Sequence, residues 1–356
     1  MVKVALTGGG TAGHVMPHIA LLPHYRRLGW EVFYIGSQGI EKELATKAGL
    51  TFYTIQTGKL RRYFSWQNFT DIFRIIAGIF QAILVLFRKR PDLVFSKGGF
   101  VSVPVAFAAW ILRIPVVSHE SDLTPGLANR MIKPFCRLIF YCLPETERHL
   151  TGVRSVASGL PVRDQLLKGQ KAEGLRLCGF ESCDRPTLLV MGGSSGAERI
   201  NTSLLTILPE LVANWQVIHL TGKGKAINFS HPSYKAFEYV NEGLEHLFAL
   251  ADLVVTRAGA NSIFELKALA KPMLLIPLEI ASRGDQVDNA KSFAAQGWAQ
   301  VLRETELTPL VLKAAIEKTR LEAPTMQERL KKSGSGEGIA TLIFDYLHKV
   351  LGLKPL

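Results

Sequence analysis

The sequence is poor in cysteine, and its cysteines follow neither a disulfide nor a metal-binding pattern. Four occur among 356 residues and none stands in a CxxC pair: Cys136, Cys142, Cys178 and Cys183. This density excludes the disulfide scaffold of a small secreted protein and predicts reduced thiols in the cytosol. The apolar stretch before Gly8 is too short for a secretory signal peptide, so we expect none.

Acidic residues are scarce in the first half of the chain. Residues 1–160 contain 19 Lys and Arg against 9 Asp and Glu, whereas residues 161–356 contain 23 against 21. A basic half predicts an anionic partner, which can be a membrane surface, a nucleic acid or a phosphorylated substrate. Because no nucleic-acid-binding motif or aromatic–basic stripe accompanies the charge, we do not expect a nucleic acid.

Short apolar runs alternate with helical patterns along the chain, which is typical of parallel α/β architecture. The predicted strands are residues 3–6, 31–35, 93–96, 116–119, 138–141, 187–191, 216–220, 235–237, 253–256, 273–276 and 299–301. The pattern restarts near residue 187, so we predict an α/β protein of two doubly wound, Rossmann-like domains that face each other across a cleft. The boundaries are 1–160 and 161–356, and packing of the last helix back on the first domain is an open alternative. Ligands of such sheets bind at the carboxyl ends of the strands.

A glycine-rich turn, residues 7–17, follows the first predicted strand. It can bring backbone N–H groups close to an anion, because glycine removes the side chains that would block the approach. Gly8, Gly10 and Gly13 also fit the G-x-G-x-x-G spacing of a dinucleotide site. The next strand ends in Gly36-Ser37-Gln38 with no acidic residue for a ribose, which disfavours NAD. A tight turn without a ligand is the simpler alternative.

Two further glycine turns follow strands of the second half. Residues 192–197 open a predicted helix and are typical of a diphosphate cradle. The hydroxyls of Ser194 and Ser195 can donate to phosphate oxygens or cap the helix. Residues 257–265 follow another strand, and Glu265 can accept the two hydroxyls of a ribose or form a surface ion pair.

The segment from residue 69 to 87 carries apolar side chains at helical spacing, and basic residues bracket it. Asp71, Arg74 and Gln81 interrupt the apolar run, which disfavours a transmembrane helix. The helix can pack on the sheet, or it can rest an exposed apolar edge with a basic rim on an anionic leaflet. Both can hold, because one face can pack while the other contacts lipid.

Seven segments together resemble the MurG family of peptidoglycan N-acetylglucosaminyltransferases, in order and spacing, nearly end to end: GGGTAGHVMP, SKGGFVSVP, IPVVSHESDLTPGLANR, SGLPVR, MGGSSGAERIN, TRAGANSIFE and RGDQVDNA. The resemblance implies the GT-B fold and an inverting transfer of GlcNAc from UDP-GlcNAc to O4 of MurNAc in lipid I (undecaprenyl-pyrophosphoryl-MurNAc-pentapeptide), which gives lipid II. It also implies peripheral binding at the cytoplasmic face of the bacterial cell membrane.

The resemblance assigns roles to individual residues. Those implied to bind UDP-GlcNAc are Thr11, Ala12, Gly13, Arg163, Ser194 for the diphosphate, Glu265 for the ribose and Gln286 for the GlcNAc hydroxyls. The uracil is implied to lie near residues 237–240. The first turn, with Lys97 and the glycines after it, is implied to face the acceptor pyrophosphate. His119, Glu120 and Asp122 are candidate contacts of the acceptor or the donor.

Two residues depart from the family pattern. Many relatives have glycine where this chain has Ala12, so the added methyl group restricts the backbone of the turn. Many also read H-E-x-N where this chain has His119-Glu120-Ser121-Asp122. A carboxylate at 122 accepts hydrogen bonds but cannot donate as an amide does, which puts the usual contact of that residue in doubt.

Inverting transfer needs a base, and His14 is the candidate with the best location, because imidazole titrates near neutral pH. His14 can alternatively hydrogen-bond only the loop or the acceptor phosphate, and His119 with Glu120 can serve structurally or as the base. No DxD-like metal motif is present, so we expect no metal and no cofactor. A UDP-GlcNAc 2-epimerase, a diacylglycerol glycosyltransferase and a non-catalytic UDP-sugar sensor stay as alternatives.

Overall fold

The computed structural model describes residues 1–58, 66–192, 196–240, 242–279, 284–334, 336 and 338–354, and of residues 66–70 and 72 the backbone alone. The strands are β1 (Lys3–Thr7), β2 (Glu31–Gly36), β3 (Thr51–Thr54), β4 (Leu93–Ser96), β5 (Val116–Glu120), β6 (Cys136–Tyr141), β7 (Ser155–Ala157), β8 (Thr187–Met191), β9 (Gln216–Leu220), β10 (Tyr234–Phe237), β11 (Leu253–Thr256), β12 (Met273–Leu275) and β13 (Gln300–Val301).

The α-helices are α1 (Met16–Arg27), α2 (Ile40–Lys47), α3 (Trp66–Lys89), α4 (Ser102–Ile111), α5 (Leu127–Ile132), α6 (Lys171–Cys178), α7 (Glu198–Leu211), α8 (Leu244–Leu250), α9 (Ala260–Ala268), α10 (Asp285–Ala295), α11 (Pro309–Lys332) and α12 (Ile339–Leu351). The chain forms two compact units. The first contains Met1–Arg163 and Gly336–Leu356, and the second contains Asp164–Ser335.

The first unit is built on a parallel sheet with the strand order β3-β2-β1-β4-β5-β6-β7. The chain runs outward from β1 to one edge, then returns to β4 and runs to the other edge. The order therefore reverses between β1 and β4. At such a switch point the connections leave in opposite directions, and a crevice opens at the carboxyl ends of the two strands.

Both faces of this sheet are covered. Val4 and Leu6 of β1 lie in one core cluster with Tyr25 of α1, and Ala5 lies in a second cluster with Leu86 of α3, because successive side chains of a strand point to opposite faces. The helix α12 completes the first cluster with its buried residues Ile343, Phe344 and Leu347. Burial on both sides explains why the central strands read as continuous apolar runs.

The second unit repeats this design with the strand order β10-β9-β8-β11-β12-β13, again all parallel. Its switch point lies between β8 and β11. The core on the α7 side is built around Leu188, Leu204, Trp215 and Ile316, all at most 1% exposed. Each unit thus has one glycine-rich turn directly after the first strand of its switch point.

The predicted class of two doubly wound α/β domains is confirmed, and each predicted strand is present with ends that differ by at most two residues. The strands β3 and β7 were not predicted. They form the two edges of the first sheet and contain no fully buried residue, so neither carries the apolar run that marks the central strands. Among the described helices, none is long and apolar enough to span a bilayer.

Candidate active site

The turns after β1 and β4 pack against each other at the first switch point. Gly99 has a φ of +78°, and a Cβ there would collide with the carbonyl oxygen of Gly9. Gly10 has a φ of +90°, and a Cβ would lie 2.8 Å from the ring of Phe100. Both positions therefore need glycine for conformation and for space. Gly9 is buried and Gly99 half-buried where the turns meet, and Gly10 is exposed at the carboxyl ends of the two strands.

A buried carboxylate holds the first of these turns. Glu41, on α2, is fully buried and accepts the backbone N–H groups of Gly10 at 3.2 Å and Ser37 at 3.1 Å, together with the Ser37 hydroxyl. On the other side of the turn, the Tyr34 hydroxyl donates to the Gly8 carbonyl at 2.8 Å. Sequence reasoning missed Glu41, because it lies on a helix and not at a strand end.

The candidate base His14 lies at the end of a short 3-10 turn, Ala12–His14, just before α1. Its ring is half-buried, and the Nδ1 atom lies 3.1 Å from the hydroxyl oxygen of Thr11. Thr11 is exposed, while Ala12 and Gly13 are half-buried. Ala12 has a negative φ, so the methyl group that many relatives lack causes no strain here.

The other candidate, His119, is enclosed by protein groups. The Lys97 ammonium donates to His119 Nδ1 at 2.8 Å and also to the Ser121 hydroxyl. Since Nδ1 accepts, Nε2 carries the proton, and it donates to the Gly159 carbonyl at 2.9 Å. Burial and the Lys97 charge keep the pKa of His119 well below its usual value. With both ring nitrogens occupied, the geometry favours the structural role of His119 over the role of base.

Glu120 also has a structural role. Its carboxylate accepts N–H bonds from Ser121 at 2.8 Å, Asp122 at 3.0 Å, Gly126 at 3.0 Å and the Asn129 side chain at 2.7 Å. Four donors around one carboxylate fix the loop after β5. Burial lowers the pKa of the Lys97 ammonium, and the nearby Glu120 and Asp122 carboxylates oppose this shift. The half-buried Asp122 thus belongs to the surroundings of a buried cation.

The second switch point has the same construction. Gly196 has a φ of +69°, and a Cβ there would collide with the carbonyl oxygen of Thr221 at the end of β9. The helix α7 begins two residues later, at Glu198. Ser194 lies outside the described residues. After β11, the Arg257 guanidinium donates to the Ile276 carbonyl at 3.1 Å and pairs with buried Glu304, which ties the turn before α9 to the neighbouring strand ends.

The remaining candidates lie near these turns or at the border of the first unit. Glu265 is half-buried in the second turn of α9, and Gln286 is in the first turn of α10. The Oε1 atom of Gln286 accepts the backbone N–H of Leu278 at 3.0 Å, so its amide N–H groups are the donors it can offer to a sugar. Arg163 is the last residue of the first unit and is half-buried. No group of three or more His, Cys, Asp or Glu in the described parts of the chain is arranged to hold a metal ion.

Comparison with known proteins defines the class. The N-terminal domain of glycosyltransferase family 28 matches residues 4–141, and the C-terminal domain of that family matches residues 187–343. The chain is therefore a glycosyltransferase of family 28. Within it, the chain belongs to the family of UDP-N-acetylglucosamine--N-acetylmuramyl-(pentapeptide) pyrophosphoryl-undecaprenol N-acetylglucosamine transferases. The proteins of this name from Geobacillus kaustophilus and Clostridium kluyveri are 50% and 47% identical to it, over 96% and 94% of this chain and 97% and 95% of their own lengths.

Solved structures agree on the fold. MurG of Acinetobacter baumannii has a TM-score of 0.75 at 22% identity and covers 98% of this chain and 100% of its own. A putative UDP-N-acetylglucosamine 2-epimerase of Listeria monocytogenes reaches 0.72 at 13% identity, with 99% and 97% covered. The fold is thus shared by a MurG transferase and a putative epimerase. The identity of 50% to the named transferase of Geobacillus kaustophilus confirms the predicted resemblance to the MurG family.

The glycine contact at the first switch point can be tested by replacement with alanine. Gly49 is a matched control, because its φ is +81° but a Cβ there meets nothing within 4 Å. We expect Gly49→Ala to lose about 1–2 kcal/mol of stability from backbone strain alone, and Gly99→Ala to lose more than about twice this from the added collision. Thermal unfolding measures both, and equal losses would contradict the proposed contact.

Proposed function

We propose that this protein transfers GlcNAc from UDP-GlcNAc to O4 of MurNAc in lipid I, with inversion at the anomeric carbon, to give lipid II. The observation that carries the proposal is the identity of about 50% to transferases of this name over 96% of the chain. The two family 28 domains match residues 4–141 and 187–343, which contain both glycine turns, so the likeness covers the candidate site as well as the fold. The epimerase alternative is supported by fold likeness alone.

We assign the donor nucleotide to the second unit. The helices α7 and α9 begin beside its switch point, and a helix N-terminus offers unpaired N–H groups and the positive end of a dipole to a diphosphate. Ser194 is assigned to the diphosphate, Glu265 to the ribose and Gln286 to the GlcNAc hydroxyls. Arg163 is assigned to the donor without a particular group. Helix N-termini can stabilise departing UDP without a metal.

We assign the acceptor to the first unit, with His14 as the base. In the reaction, the MurNAc O4 attacks C1 of GlcNAc while the bond from C1 to the UDP oxygen breaks, and His14 takes the proton of O4. Attack opposite to the leaving group gives the inversion. The exposed Thr11 and the half-buried Ala12 and Gly13 directly precede this histidine in the turn. Lys97 places a buried cation next to the turn, where a pyrophosphate would be attracted.

We infer that α3 binds an anionic membrane surface. Its apolar residues at helical spacing are exposed: Phe73, Ile76, Phe80, Leu84 and Phe87. The opposite side of the helix is buried in the core through Ala82 and Leu86. Basic residues at 74 and 88–90 flank the stripe, and Trp110 of α4, which packs on α3, is 53% exposed. An apolar stripe with a basic rim suits peripheral binding to the anionic cytoplasmic leaflet.

Incubation of the purified protein with UDP-GlcNAc and a lipid I analogue tests the activity. We expect UDP release in step with a β-linked GlcNAc–MurNAc disaccharide on the lipid, identified by mass spectrometry and NMR. Conversion of UDP-GlcNAc without any acceptor would support an epimerase instead. Transfer to diacylglycerol alone, or nucleotide binding with no turnover, would overturn the proposed acceptor.

The role of His14 predicts a loss confined to turnover. Replacement with alanine should lower kcat by roughly 100-fold to 10,000-fold, because general base catalysis contributes about this factor, while the Kd of UDP-GlcNAc stays close to the wild-type value. The exposed His149 offers a control, since His149→Ala should leave both quantities unchanged. An unchanged kcat in His14→Ala would remove the base assignment.

The role of α3 predicts that two aromatic side chains are needed for vesicle binding. Phe73 and Phe80 are 63% and 68% exposed, so replacing both with serine should hardly affect folding. Burying one Phe side chain is worth about 1.5–3 kcal/mol, so partition into anionic vesicles should fall at least about tenfold in flotation assays at low salt. The matched control replaces Leu310 and Leu321 with serine. These two residues are 77% and 76% exposed on α11 of the second unit. Equal flotation of the two double variants would contradict the assignment.

A further inference from the structure

A chain of buried hydrogen bonds runs through the second unit beside α7. The Tyr234 hydroxyl lies 3.1 Å from His219 Nδ1, and His219 Nε2 lies 3.0 Å from the Asn201 side-chain oxygen. The Asn201 amide then donates to the Thr221 carbonyl at 2.9 Å. His219 is fully buried, and Asn201 and Tyr234 are 7% exposed.

The direction of each bond in this chain is fixed. A carbonyl only accepts, so the amide nitrogen of Asn201 faces Thr221 and its oxygen faces His219. His219 Nε2 must then carry the proton, which leaves Nδ1 to accept from the Tyr234 hydroxyl. Burial lowers the pKa of His219 to about 4, so the ring is neutral near pH 7, as this arrangement requires. The donor and acceptor roles of the Asn201 amide, the His219 ring and the Tyr234 hydroxyl are thus assigned in these hydrogen bonds.

The chain ends at the beginning of α7. Asn201 lies in the first turn of this helix, where its backbone N–H bonds to the Ala197 carbonyl at 2.9 Å. The Thr221 carbonyl, which accepts from Asn201, is also the group that a Cβ on Gly196 would strike. The backbone N–H of Thr221 in turn bonds to Phe237 of β10 at 2.9 Å. The hydrogen bonds thus tie the first turn of α7 to the ends of β9 and β10.

We propose that His219 is a positioning residue for the donor nucleotide, which acts by holding the N-terminus of α7 against the end of β9. This inference rests on the proposed function, which assigns the donor diphosphate to that N-terminus. Its unpaired N–H groups bind an anion well only if their direction is fixed beforehand, because ordering them on binding costs free energy. His219 touches no substrate in this scheme and acts through Asn201.

The opposite end of β9 provides a matched control. Gln216 is 7% exposed, accepts from the Thr187 hydroxyl at 3.3 Å and donates to the Ser182 carbonyl at 2.7 Å. It is therefore a buried polar residue of the same strand with two hydrogen bonds, but at the end of the sheet away from α7's first turn. A merely structural role for His219 predicts that the two residues behave alike.

The test compares His219→Leu, His219→Gln and Gln216→Leu. Leucine removes both hydrogen bonds of His219, whereas glutamine places an N–H near the position of Nε2 and can keep the bond to Asn201. The readouts are the Kd of UDP by calorimetry, the KM of UDP-GlcNAc, kcat and thermal unfolding. We expect His219→Leu to raise the Kd and the KM about tenfold or more with a smaller change in kcat, His219→Gln to recover most of this loss, and Gln216→Leu to change the Kd less than twofold.

Similar losses of stability in His219→Leu and Gln216→Leu with an unchanged Kd would overturn the inference. If His219→Leu fails to fold, Tyr234→Phe decides, because it deletes one hydroxyl outside α7 and should still raise the Kd of UDP severalfold; an unchanged Kd there overturns the inference as well. A wild-type protein that binds no UDP would instead contradict the donor assignment, so the two failures are distinguishable.

Discussion

The contact between the backbones of Gly9 and Gly99 is the constraint on which the first unit's candidate site depends. Parallel order brings β1 and β4 side by side, and the turns that follow them leave in opposite directions. Only glycine lets these turns approach closely enough for the Gly9 carbonyl to lie where the side chain of residue 99 would otherwise be. The close approach sets the position of Lys97, which directly precedes the second turn, and the first turn continues through exposed Gly10 and Thr11 to His14.

A glycine turn lacks side chains to hold it in place, and each unit supplies a buried polar group for this purpose. In the first unit Glu41 accepts the N–H of Gly10 in the turn after β1 and the N–H of Ser37 after β2, and so ties the two loops together. In the second unit the chain from Tyr234 through His219 reaches Asn201, at the start of α7. The supporting groups differ in type, since a carboxylate holds the first turn and a neutral histidine and asparagine hold the second.

The local sequence pattern predicted the central strands and the glycine turns. A strand buried on both faces requires a run of apolar residues, and a close approach of two backbones requires glycine. The edge strands β3 and β7 were missed, since their half-exposed residues carry no such signal. Glu41, Asn201 and His219 were missed for another reason. Apart from Ser37, four residues from Glu41, the side-chain partners cited for these residues lie 15 to 31 residues away in the chain. Their roles therefore arise from topology, and a buried glutamate on a helix has the same sequence pattern as a solvated one.

Burial also decides between residues that the sequence leaves equal. His14 lies in the turn after β1 and His119 lies in β5, and the two ring nitrogens of His119 are fixed by a lysine and a backbone carbonyl. The same surroundings explain how Asp122 can stand where many relatives have asparagine. Its bond to Glu120 comes from the backbone N–H, so the loop after β5 keeps its anchor whichever side chain is present. The carboxylate raises the pKa of buried Lys97 against the effect of desolvation, and a buried ammonium needs such compensation. Asp122 therefore adds to the negative charge that Glu120 already places near buried Lys97, beside the first glycine turn.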